Sequence, residues 1–519
     1  MARPAIVFIG FMGAGKSTAL AAARQAGLET VEIDELMERE LGKPIRQAFE
    51  EDGEEAFRAR EAEVVGELLE RADGGAIALG GGSVLSERVR KALGRHTVVL
   101  LEIDAAEAWR RIEGTDRPLA TSQADVEALL AERLPLYEDL ADAVVPMADA
   151  GVVERALPAI QALGEMPEGT RLLWASSASG DYPALIGPGL LDAVGSSGWW
   201  PVSGEGFCIT DPNARSYADR LKPLVSKLEV RRTGEMAKSI EEAEWVIERM
   251  AATGVTREDH VVALGGGVIG DLAGFCAHVY QRGVPVVQVP TTLVAQVDSA
   301  FGGKTGVDLP EFKNYVGAYH QPAAVLADTE TLRTLPGAEK AAGFVEVVKT
   351  GLLAGGELWE KVRKVDRLEP NELAEVIFGC ARYKCAVVAA DERDAGLRHV
   401  LNLGHTVGHA IETASGFRAA DRGGYRHGEA VGLGLLAALR LSGADDLRAE
   451  VKRILDDYEL PVRVRIEAGP DEVIRLLDHD KKRTAAGVGF VLISEPGKPR
   501  TGQIVPDDEV LAAVEELYR

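Results

Sequence analysis

Cysteine is scarce in this chain of 519 residues, which has only Cys208, Cys276, Cys380 and Cys385. No two of them have CxxC spacing, so the sequence indicates neither a disulfide framework nor a thiolate metal site. The N-terminal apolar run that ends at Gly10 is too short for a signal-peptide core. No uninterrupted run of about 18 apolar residues exists that could cross a membrane. We therefore expect a cytoplasmic protein without a membrane partner.

Basic residues are also outnumbered, since 58 Lys and Arg stand against 82 Asp and Glu and the formal net charge is −24. A phosphate backbone is bound by a basic surface, so we expect no nucleic-acid partner. Small anionic substrates stay possible, because a basic pocket can lie inside an acidic protein. With 46% hydrophobic residues, disorder is excluded for most of the chain.

Two segments of the chain each pass from a strand through a glycine-rich loop into a helix. Strands that alternate with helices predict an α/β fold with a parallel sheet covered on both faces. The polar segment with glycine and proline at 166–170 is interpreted as a linker. We therefore expect a first domain at 1–165, an α/β subdomain at 171–320 and a mainly helical subdomain at 321–519.

The first glycine loop, at residues 10–17, reads Gly-Phe-Met-Gly-Ala-Gly-Lys-Ser and matches GxxxxGK[ST]. Backbone N–H groups of such a loop and the following helix N-terminus bind phosphates. Lys16 is expected to reach the β- and γ-phosphates, and Ser17 to bind Mg²⁺. The ATP site is thus predicted at Gly13, Ala14, Gly15, Lys16, Ser17 and Thr18.

Further residues indicate which kind of acceptor the first domain phosphorylates. One carboxylate and several arginines suggest an acceptor that carries both a hydroxyl and a carboxylate. Each arginine taken alone is more often a solvated surface charge than a ligand contact. The residues concerned are Asp34, Arg58, Gly80, Gly81, Gly82, Arg110, Arg111, Arg117 and Arg133.

Together these motifs resemble shikimate kinase over nearly all of residues 1–165. The resemblance implies that Asp34 binds the acceptor hydroxyls and is the candidate base, and that Arg58 and Arg133 hold the carboxylate of shikimate. It implies that Gly80–Gly82 line the pocket, that Arg117 closes over the phosphates, and that Arg110 or Arg111 lies near the adenine. Glu32 departs from the family, which commonly has Asp there, so its support of Mg²⁺ is a plausible expectation.

The second glycine loop, Gly265–Asp271, is weak evidence by itself, because a turn after a strand need not bind pyrophosphate. A stronger signal is His405 and His409, which are four apart and share one helix face. With His427 and Glu346 they offer the N/O ligands of a catalytic divalent site, such as Zn²⁺. The spacing alone does not decide which three of the four bind.

A set of basic residues accompanies these candidate ligands and suggests a polyanionic substrate. The set consists of Arg282, Lys304, Lys313, Lys349, Lys384, Arg398 and Lys481.

Residues 169–519 closely resemble 3-dehydroquinate synthase. The matching text includes Gly265–Phe275, Pro290–Leu293, Gln296–Ser299, Gly302–Gly306, Lys313–Asn314, Glu346–Lys349, Arg398–His409 and His427–Glu429. Phe301, Phe312 and His399 depart from the expected residues.

The resemblance implies a metal site of Glu346, His405 and His427 for Zn²⁺ or Co²⁺, with His409 as a substrate contact. Lys349, Lys384, Arg398 and His409 are the expected catalytic residues. NAD is expected along Asp211, Asn213, Glu235, Lys238, Gly266, Gly267, Val268, Asp271, Thr291, Thr292 and Lys313. Substrate is expected at Asp298, Lys304, Asn314, Lys349, Lys384, Arg398, Asn402, His409 and Lys481, with Arg282 reaching the site of a neighbouring subunit in a homodimer.

The two resemblances imply a fused enzyme of aromatic amino-acid biosynthesis. One half would phosphorylate shikimate with ATP. The other would convert 3-deoxy-D-arabino-heptulosonate 7-phosphate into 3-dehydroquinate and phosphate, with NAD recycled. The alternatives are another small-acceptor kinase such as a gluconate kinase, another sugar-phosphate cyclase such as a valiolone-type synthase, and a scaffold with one inactive half.

Overall fold

The structure is a computed structural model that describes residues 3–113, 122–147, 149, 151–197, 199–222, 224–230, 232, 234–310, 312–416, 424–477, 483–484 and 487–519. It divides into two compact units. The N-terminal unit comprises Met1–Ser176 and Tyr182–Leu185, and the C-terminal unit comprises Ser177–Asp181 and Ile186–Arg519. Within the described residues, no helix is both long and apolar enough to cross a membrane.

The N-terminal unit contains a parallel sheet in the order β2-β3-β1-β4-β5-β6. Most of its short strands are apolar, and all four residues of the first, Ile6–Ile9, are buried. The strands are β1 Ile6–Ile9, β2 Thr30–Glu32, β3 Ala76–Ala78, β4 Thr97–Glu102, β5 Ala143–Pro146 and β6 Arg171–Ser177. The division between the units lies beyond the expected linker at 166–170, because β6 pairs with β5.

Helices connect these strands, as the alternating pattern predicts. The described helices of this unit are α1 Lys16–Gln25, α2 Ile33–Leu41, α3 Ile45–Asp52, α4 Glu54–Arg71, α5 Glu87–Leu93, α6 Ala105–Ile112, α7 Gln123–Leu140 and α8 Val152–Leu163. Asp104 and Ser122 cap α6 and α7 by accepting the N–H groups of Glu107 and Asp125. Asp34 lies in the first turn of α2 rather than at the end of a strand, because β2 already ends at Glu32.

The C-terminal unit contains a second parallel set of strands in the order β14-β11-β10-β8-β9, together with antiparallel pairs. Strand β7, Gly180–Gly187, divides its residues between the two units. The remaining strands are β8 Gly206–Thr210, β9 Val225–Glu229, β10 His260–Gly265, β11 Val286–Pro290, β12 Lys304–Val307, β13 Val316–Tyr319, β14 Ala324–Asp328, β15 Arg483–Thr484, β16 Gly487–Ile493 and β17 Pro499–Ile504.

The helices of the C-terminal unit dominate its later part, which confirms the predicted α/β class with a mainly helical end. They are α9 Leu190–Ser197, α10 Arg215–Ala218, α11 Ile240–Ala252, α12 Gly267–Val279, α13 Gly337–Ala354, α14 Gly356–Val362, α15 Pro370–Ala390, α16 His405–Ala414, α17 His427–Leu441, α18 Asp445–Asp457, α19 Pro470–Leu477 and α20 Asp507–Tyr518. Helix α13 is buried along its length from Ala341 to Leu353. An all-round apolar sequence such as this one is typical of a central helix.

Helix α17 approaches α16 and α13 at glycines. A Cβ atom on Gly434 would lie 1.9 Å from the carbonyl oxygen of Gly404, and one on Gly428 would lie 1.9 Å from that of Ala342. No side chain fits at such a distance from a backbone atom. These two glycines therefore set how closely α17 lies to the helices that carry the candidate metal ligands.

We predict that Gly434→Ala destabilises the C-terminal unit by about 1–3 kcal/mol, because the added methyl group must push α17 away from α16. Denaturant unfolding of the full chain measures the change. Gly337→Ala is the matched control, since nothing lies within 4 Å of a Cβ at that first position of α13. It should be neutral or stabilising by about 0.4–1 kcal/mol. Equal stability of both variants would contradict the packing argument.

Candidate active sites

The first glycine loop joins β1 to α1 and curls with left-handed backbone at Gly13 (φ 78°) and Gly15 (φ 88°). Lys16 Nζ donates hydrogen bonds to the carbonyls of Gly10 (2.9 Å) and Phe11 (3.0 Å). The ammonium group is therefore held over the loop, beside the helix N-terminus. This is the arrangement that the GxxxxGK[ST] motif predicts for a phosphate cradle.

The proposed magnesium ligand Ser17 lies next to a carboxylate, because its hydroxyl donates to Glu32 Oε1 at 2.5 Å. Glu32 therefore occupies a position from which it can support a cation at Ser17. Arg111 Nη1 donates to the carbonyl of Gly13 at 3.1 Å, whereas Arg110 pairs with Glu107 at 2.6 Å. Of the two arginines, Arg111 is thus the one that contacts the loop, and the assignment of Arg110 to the adenine stays a prediction. Arg117 lies outside the described residues.

Two guanidinium groups converge on the glycine turn after β3. A Cβ on Gly82 would lie 2.5 Å from Arg58 Cζ, and Arg133 Nη1 lies 3.5 Å from the carbonyl of Gly81. Arg133 is buried, and among the described residues its Nε has no hydrogen-bond partner. A buried cation with an unmet donor needs an anionic or polar ligand. The turn is therefore suited to a small carboxylate.

Glu61 was not found from the sequence, although it orients one of these arginines. Its Oε2 accepts from Arg58 Nη1 at 2.6 Å, and its Oε1 accepts from the Ser83 hydroxyl at 2.7 Å. The (i, i+3) spacing of Arg58 and Glu61 on α4 was the available signal. Tyr137 also closes the turn by donating to the carbonyl of Gly81, and burial raises the pKa of its hydroxyl. Asp34 Oδ1 lies 3.3 Å from the Cβ position of Gly80, so the candidate base faces the same turn.

In the C-terminal unit, most residues expected to bind NAD lie beyond the carboxyl ends of β8, β9, β10 and β11, whereas Lys313 lies between β12 and β13. Asp211 follows β8 and accepts the N–H groups of Asn213 (2.8 Å) and Ala214 (3.1 Å). The turn Gly265–Asp271 connects β10 to α12, and Thr291 and Thr292 follow β11. In open α/β sheets, ligands bind in the crevice at this edge.

A network of charged side chains adjoins this crevice. Lys238 Nζ lies 2.5 Å from Asp271 Oδ2 and donates to Asn314 Oδ1. Burial opposes the charge of Lys238, but Asp271 and Glu235 together raise its pKa. Asp308, which sequence reasoning missed, accepts the N–H of Asn314 at 2.7 Å and so stabilises its left-handed backbone (φ 57°).

The four candidate metal ligands lie together, although they come from three helices. Nitrogen atoms of His405, His409 and His427 lie within 4.8 Å of one another. Glu346 Oε1 lies 3.6 Å from His427 Nε2 and 3.8 Å from His405 Nε2. The structure thus brings together all the candidates that the sequence left open.

The protonation state of His405 suits a cation. Burial, together with the charge of Lys349, holds the pKa of His405 well below its usual value, so the ring is neutral. Its Nδ1 contacts the carbonyl of Leu403 at 3.1 Å, and a carbonyl accepts only from N–H, so Nε2 carries the lone pair. Glu346 Oε1 is buried and has no hydrogen-bond partner among the described residues. A divalent cation between His405 Nε2 and Glu346 Oε1 would accept the lone pair of the nitrogen and would pair with the carboxylate oxygen.

Two expected substrate residues, Lys349 and Lys384, lie near the histidine cluster, and each pairs with a different carboxylate. Lys349 lies 2.6 Å from Glu346 Oε2, and the charges of Glu346 and Asp298 overcome its burial and raise its pKa. Lys384 donates to the carbonyl (2.6 Å) and side chain (2.5 Å) of Asp298. Cationic groups are therefore held within one buried network, as a polyanionic substrate requires.

Other expected substrate residues have contacts that sequence reasoning did not foresee. Arg398 donates to the carbonyls of Glu392 (2.7 Å) and Gly302 (2.9 Å), so part of its guanidinium supports the backbone. Lys304 pairs with Asp394 at 2.5 Å, and Asn402 donates to the carbonyl of His399 at 3.0 Å. Their roles toward substrate stay predictions.

One expected residue, Arg282, is not brought to the cluster. Arg282 is exposed in the turn after α12, with left-handed backbone (φ 70°), and no contact among the described residues joins it to the histidines. Its proposed reach into a neighbouring subunit stays a prediction. Lys481 lies outside the described residues.

Glu412 is the most informative residue that the sequence analysis missed. Its Oε2 lies 3.2 Å from His427 Nδ1, and its Oε1 lies 2.9 Å from Lys313 Nζ. The hydrogen bond to His427 and the charge of Lys313 outweigh burial and hold its pKa well below the usual range. The sequence feature that could have identified Glu412 is its spacing. It follows His405 by seven residues and His409 by three, so the three side chains share one helix face.

Comparisons with known proteins match the two stretches of the chain that carry these sites. Residues 12–162 match the family model of shikimate kinase, residues 229–342 match that of the N-terminal part of 3-dehydroquinate synthase, and residues 343–483 match that of its C-terminal part.

The C-terminal part of the chain aligns with almost the full length of individual relatives. The chain is 40% identical over 357 residues to 3-dehydroquinate synthase of Symbiobacterium thermophilum, covering 65% of this chain and 98% of the relative. It is also 40% identical over 365 residues to the enzyme of Bordetella pertussis, covering 66% and 98%. A solved 2-deoxy-scyllo-inosose synthase, complexed with carbaglucose-6-phosphate, NAD⁺ and Co²⁺, is similar with a TM-score of 0.60, 27% identity and coverage of 66% and 99%.

We predict that the wild-type chain binds Co²⁺ or Zn²⁺ and that His405→Ala weakens this binding at least about 100-fold, because one nitrogen ligand is lost. Isothermal titration and the visible absorption of Co²⁺ measure the affinity. His278→Ala is the control, since His278 lies on α12 against His320, outside the histidine cluster. Full metal occupancy in the His405 variant would refute the assignment.

Proposed function

Because the chain belongs to the 3-dehydroquinate synthase family and residues 12–162 match shikimate kinase, we propose that it catalyses two reactions of one biosynthetic route. The N-terminal unit transfers the γ-phosphoryl group of ATP to the 3-hydroxyl of shikimate. The C-terminal unit converts 3-deoxy-D-arabino-heptulosonate 7-phosphate into 3-dehydroquinate and phosphate. The proposal rests chiefly on one observation: Glu346 Oε1 is buried, has no hydrogen-bond partner within the part of the chain that the structure describes, and faces the Nε2 atoms of two histidines.

In the N-terminal unit, the chain supplies positioning and charge, which phosphoryl transfer requires. The loop amides and Lys16 hold the phosphates, and the Ser17 hydroxyl, beside Glu32, is the ligand for the Mg²⁺ of MgATP. Asp34 faces the glycine turn at Gly80 and accepts the proton of the attacking hydroxyl.

The acceptor specificity of this unit comes from Arg58 and Arg133. Both guanidiniums face the turn Gly80–Gly82, and Glu61 fixes the orientation of Arg58. Paired arginines bind a carboxylate through charge-assisted hydrogen bonds. This favours shikimate over an acceptor without a carboxylate near its hydroxyls.

In the C-terminal unit, Glu346, His405 and His427 would hold Zn²⁺ or Co²⁺, and the crevice beyond β8–β11 would hold NAD. When bound, the two groups supply hydride removal and return, and polarisation of the oxygen at the oxidised carbon. The chain itself provides the cations Lys349 and Lys384 in a buried network, where they bind the carboxylate and phosphate of the substrate. His409, on the face of α16 that carries His405, contacts the substrate beside the metal site.

Another sugar-phosphate cyclase is the second candidate for this unit, because the similar solved structures include one of 2-epi-5-epi-valiolone synthase from Streptomyces hygroscopicus with NAD⁺ and Zn²⁺ bound (26% identity, TM-score 0.58, coverage 65% and 96%). The 40% identity to 3-dehydroquinate synthases supports the dehydroquinate reaction instead. The presence of a kinase half from the same route supports it further.

We predict that Lys16→Ala abolishes phosphorylation of shikimate and leaves release of phosphate from 3-deoxy-D-arabino-heptulosonate 7-phosphate unchanged, because the two sites lie in separate units. His405→Ala should give the reverse pattern. Coupled assays of the purified full chain with each substrate, with and without a chelator, measure both activities. Loss of both activities in either variant would contradict independent sites, and no turnover by one half of the wild type would support the scaffold alternative.

We also predict that Arg58→Met lowers kcat/KM for shikimate about 10- to 150-fold, the loss expected for a charge-assisted hydrogen bond of about 1.5–3 kcal/mol. The KM for ATP should not change. Arg60→Met is the matched control, since Arg60 lies on the same helix but forms exposed pairs with Glu40 and Glu63. A gluconate-type kinase would show no preference for a carboxylated cyclic acceptor and no such loss.

A further inference from the structure

We propose that Glu412 is a positioning residue that orients the imidazole of His427 toward the metal site, and that Lys313 holds Glu412 in place. This inference rests on the proposed function, since it concerns the same candidate metal site. It assigns a role to a residue that neither the motif spacing nor the resemblance singled out.

The geometry places Glu412 behind the histidine rather than in the ligand set. His427 presents Nε2 to Glu346 Oε1 at 3.6 Å, while its Nδ1 on the opposite side of the ring faces Glu412 Oε2 at 3.2 Å. Because the two ring nitrogens point in different directions, a partner at Nδ1 fixes where Nε2 points. Glu412 therefore controls the ring orientation without contacting the ion.

The chemistry of the pair also selects the tautomer. An ionised carboxylate only accepts hydrogen bonds, so when His427 is neutral, as a metal ligand must be, its proton lies on Nδ1. The lone pair is then on Nε2, where a metal ligand needs it. Carboxylates that accept from the outer nitrogen of a metal-binding histidine commonly fix the ring in this way and raise its basicity. His405 reaches the same state through the carbonyl of Leu403.

Lys313 completes the arrangement from another part of the unit. It lies between β12 and β13, and its Nζ lies 2.9 Å from Glu412 Oε1 and 3.2 Å from Glu235 Oε1. Glu412 is only 5% exposed, so its negative charge requires a partner at both oxygens. His427 occupies one oxygen and Lys313 the other. Lys313 of the β12–β13 hairpin thus fixes Glu412, and Glu412 fixes the orientation of His427.

The test measures binding of Co²⁺ to the full-length apoprotein, by titration and by visible absorption, in Glu412→Ala, Glu412→Gln and Lys313→Met. Glu412→Ala should weaken Co²⁺ binding about 10- to 100-fold and shift the absorption band, because the ring loses its fixed orientation. Glu412→Gln keeps an oxygen that accepts from Nδ1, so it should recover part of the affinity. Lys313→Met, which keeps the Glu412 side chain but removes its charge partner, should have a smaller effect than Glu412→Ala.

Matched controls separate this role from general loss of charge pairs. Glu516 also lies between two cations, Arg440 and Arg448 at 2.9 Å each, and Lys361 also lies between two carboxylates, Glu357 at 2.9 Å and Glu375 at 3.4 Å. Glu516→Gln and Lys361→Met should bind Co²⁺ as the wild type does. Thermal unfolding of each apoprotein checks that the variant folds; if Glu412→Ala does not, Glu412→Gln and Lys313→Met still carry the test.

The outcomes separate the two proposals. Wild-type affinity and an unchanged Co²⁺ spectrum in the folded Glu412 variants would overturn the positioning role and leave the proposed function intact. Failure of the wild type to bind Co²⁺ would overturn the proposed metal site and this inference with it. Equal losses in the Glu412 variants and in the Glu516 control would also overturn the inference, because the effect would then not be specific to His427.

Discussion

The close approach of helix backbones is the constraint on which the catalytic arrangement of the C-terminal unit depends. At Gly434 and Gly428 the space beside helix α17 is filled by carbonyl oxygens of Gly404 and Ala342, so no larger residue fits there without movement. The histidines at the starts of α16 and α17 and the carboxylate of α13 meet because these helices lie this close. A shift of an ångström between helices would take the ligands out of the range that one cation spans.

Buried charged side chains are the second feature of the C-terminal unit on which its candidate site depends. Glu346 and Lys349 lie one turn apart in a helix whose other side chains are almost all apolar, and both are about 1% exposed. Removing two charges from water costs several kcal/mol per ion, which their attraction does not reliably recover. Such a pair is weak evidence for stability and better evidence for a site, since the same charges can bind a cation and an anionic substrate. The chain Lys313–Glu412–His427 extends this network toward the crevice beyond the strands.

The N-terminal unit also holds charged side chains at its candidate site, but fewer of them are buried. Its glycine turn after β3 leaves room for the guanidiniums of Arg58 and Arg133, because a side chain at Gly82 would occupy the position of Arg58. Glu61 neutralises part of that positive charge and keeps Arg58 directed at the turn. In this unit, therefore, the absence of a side chain at a glycine leaves the space that a cation occupies.

The amino-acid sequence by itself determined the order of strands and helices, the phosphate loop at 10–17 and the identity of the candidate ligands, because local periodicity and short motifs carry this information. Motif spacing left open which three of Glu346, His405, His409 and His427 bind a metal, and it did not indicate Glu61, Asp308, Asp394 or Glu412. These residues act through partners that are distant along the chain, such as Lys313 for Glu412, which is 99 positions away. Only the tertiary structure decided those contacts, because they depend on how closely helices and loops pack, and no local pattern encodes that distance.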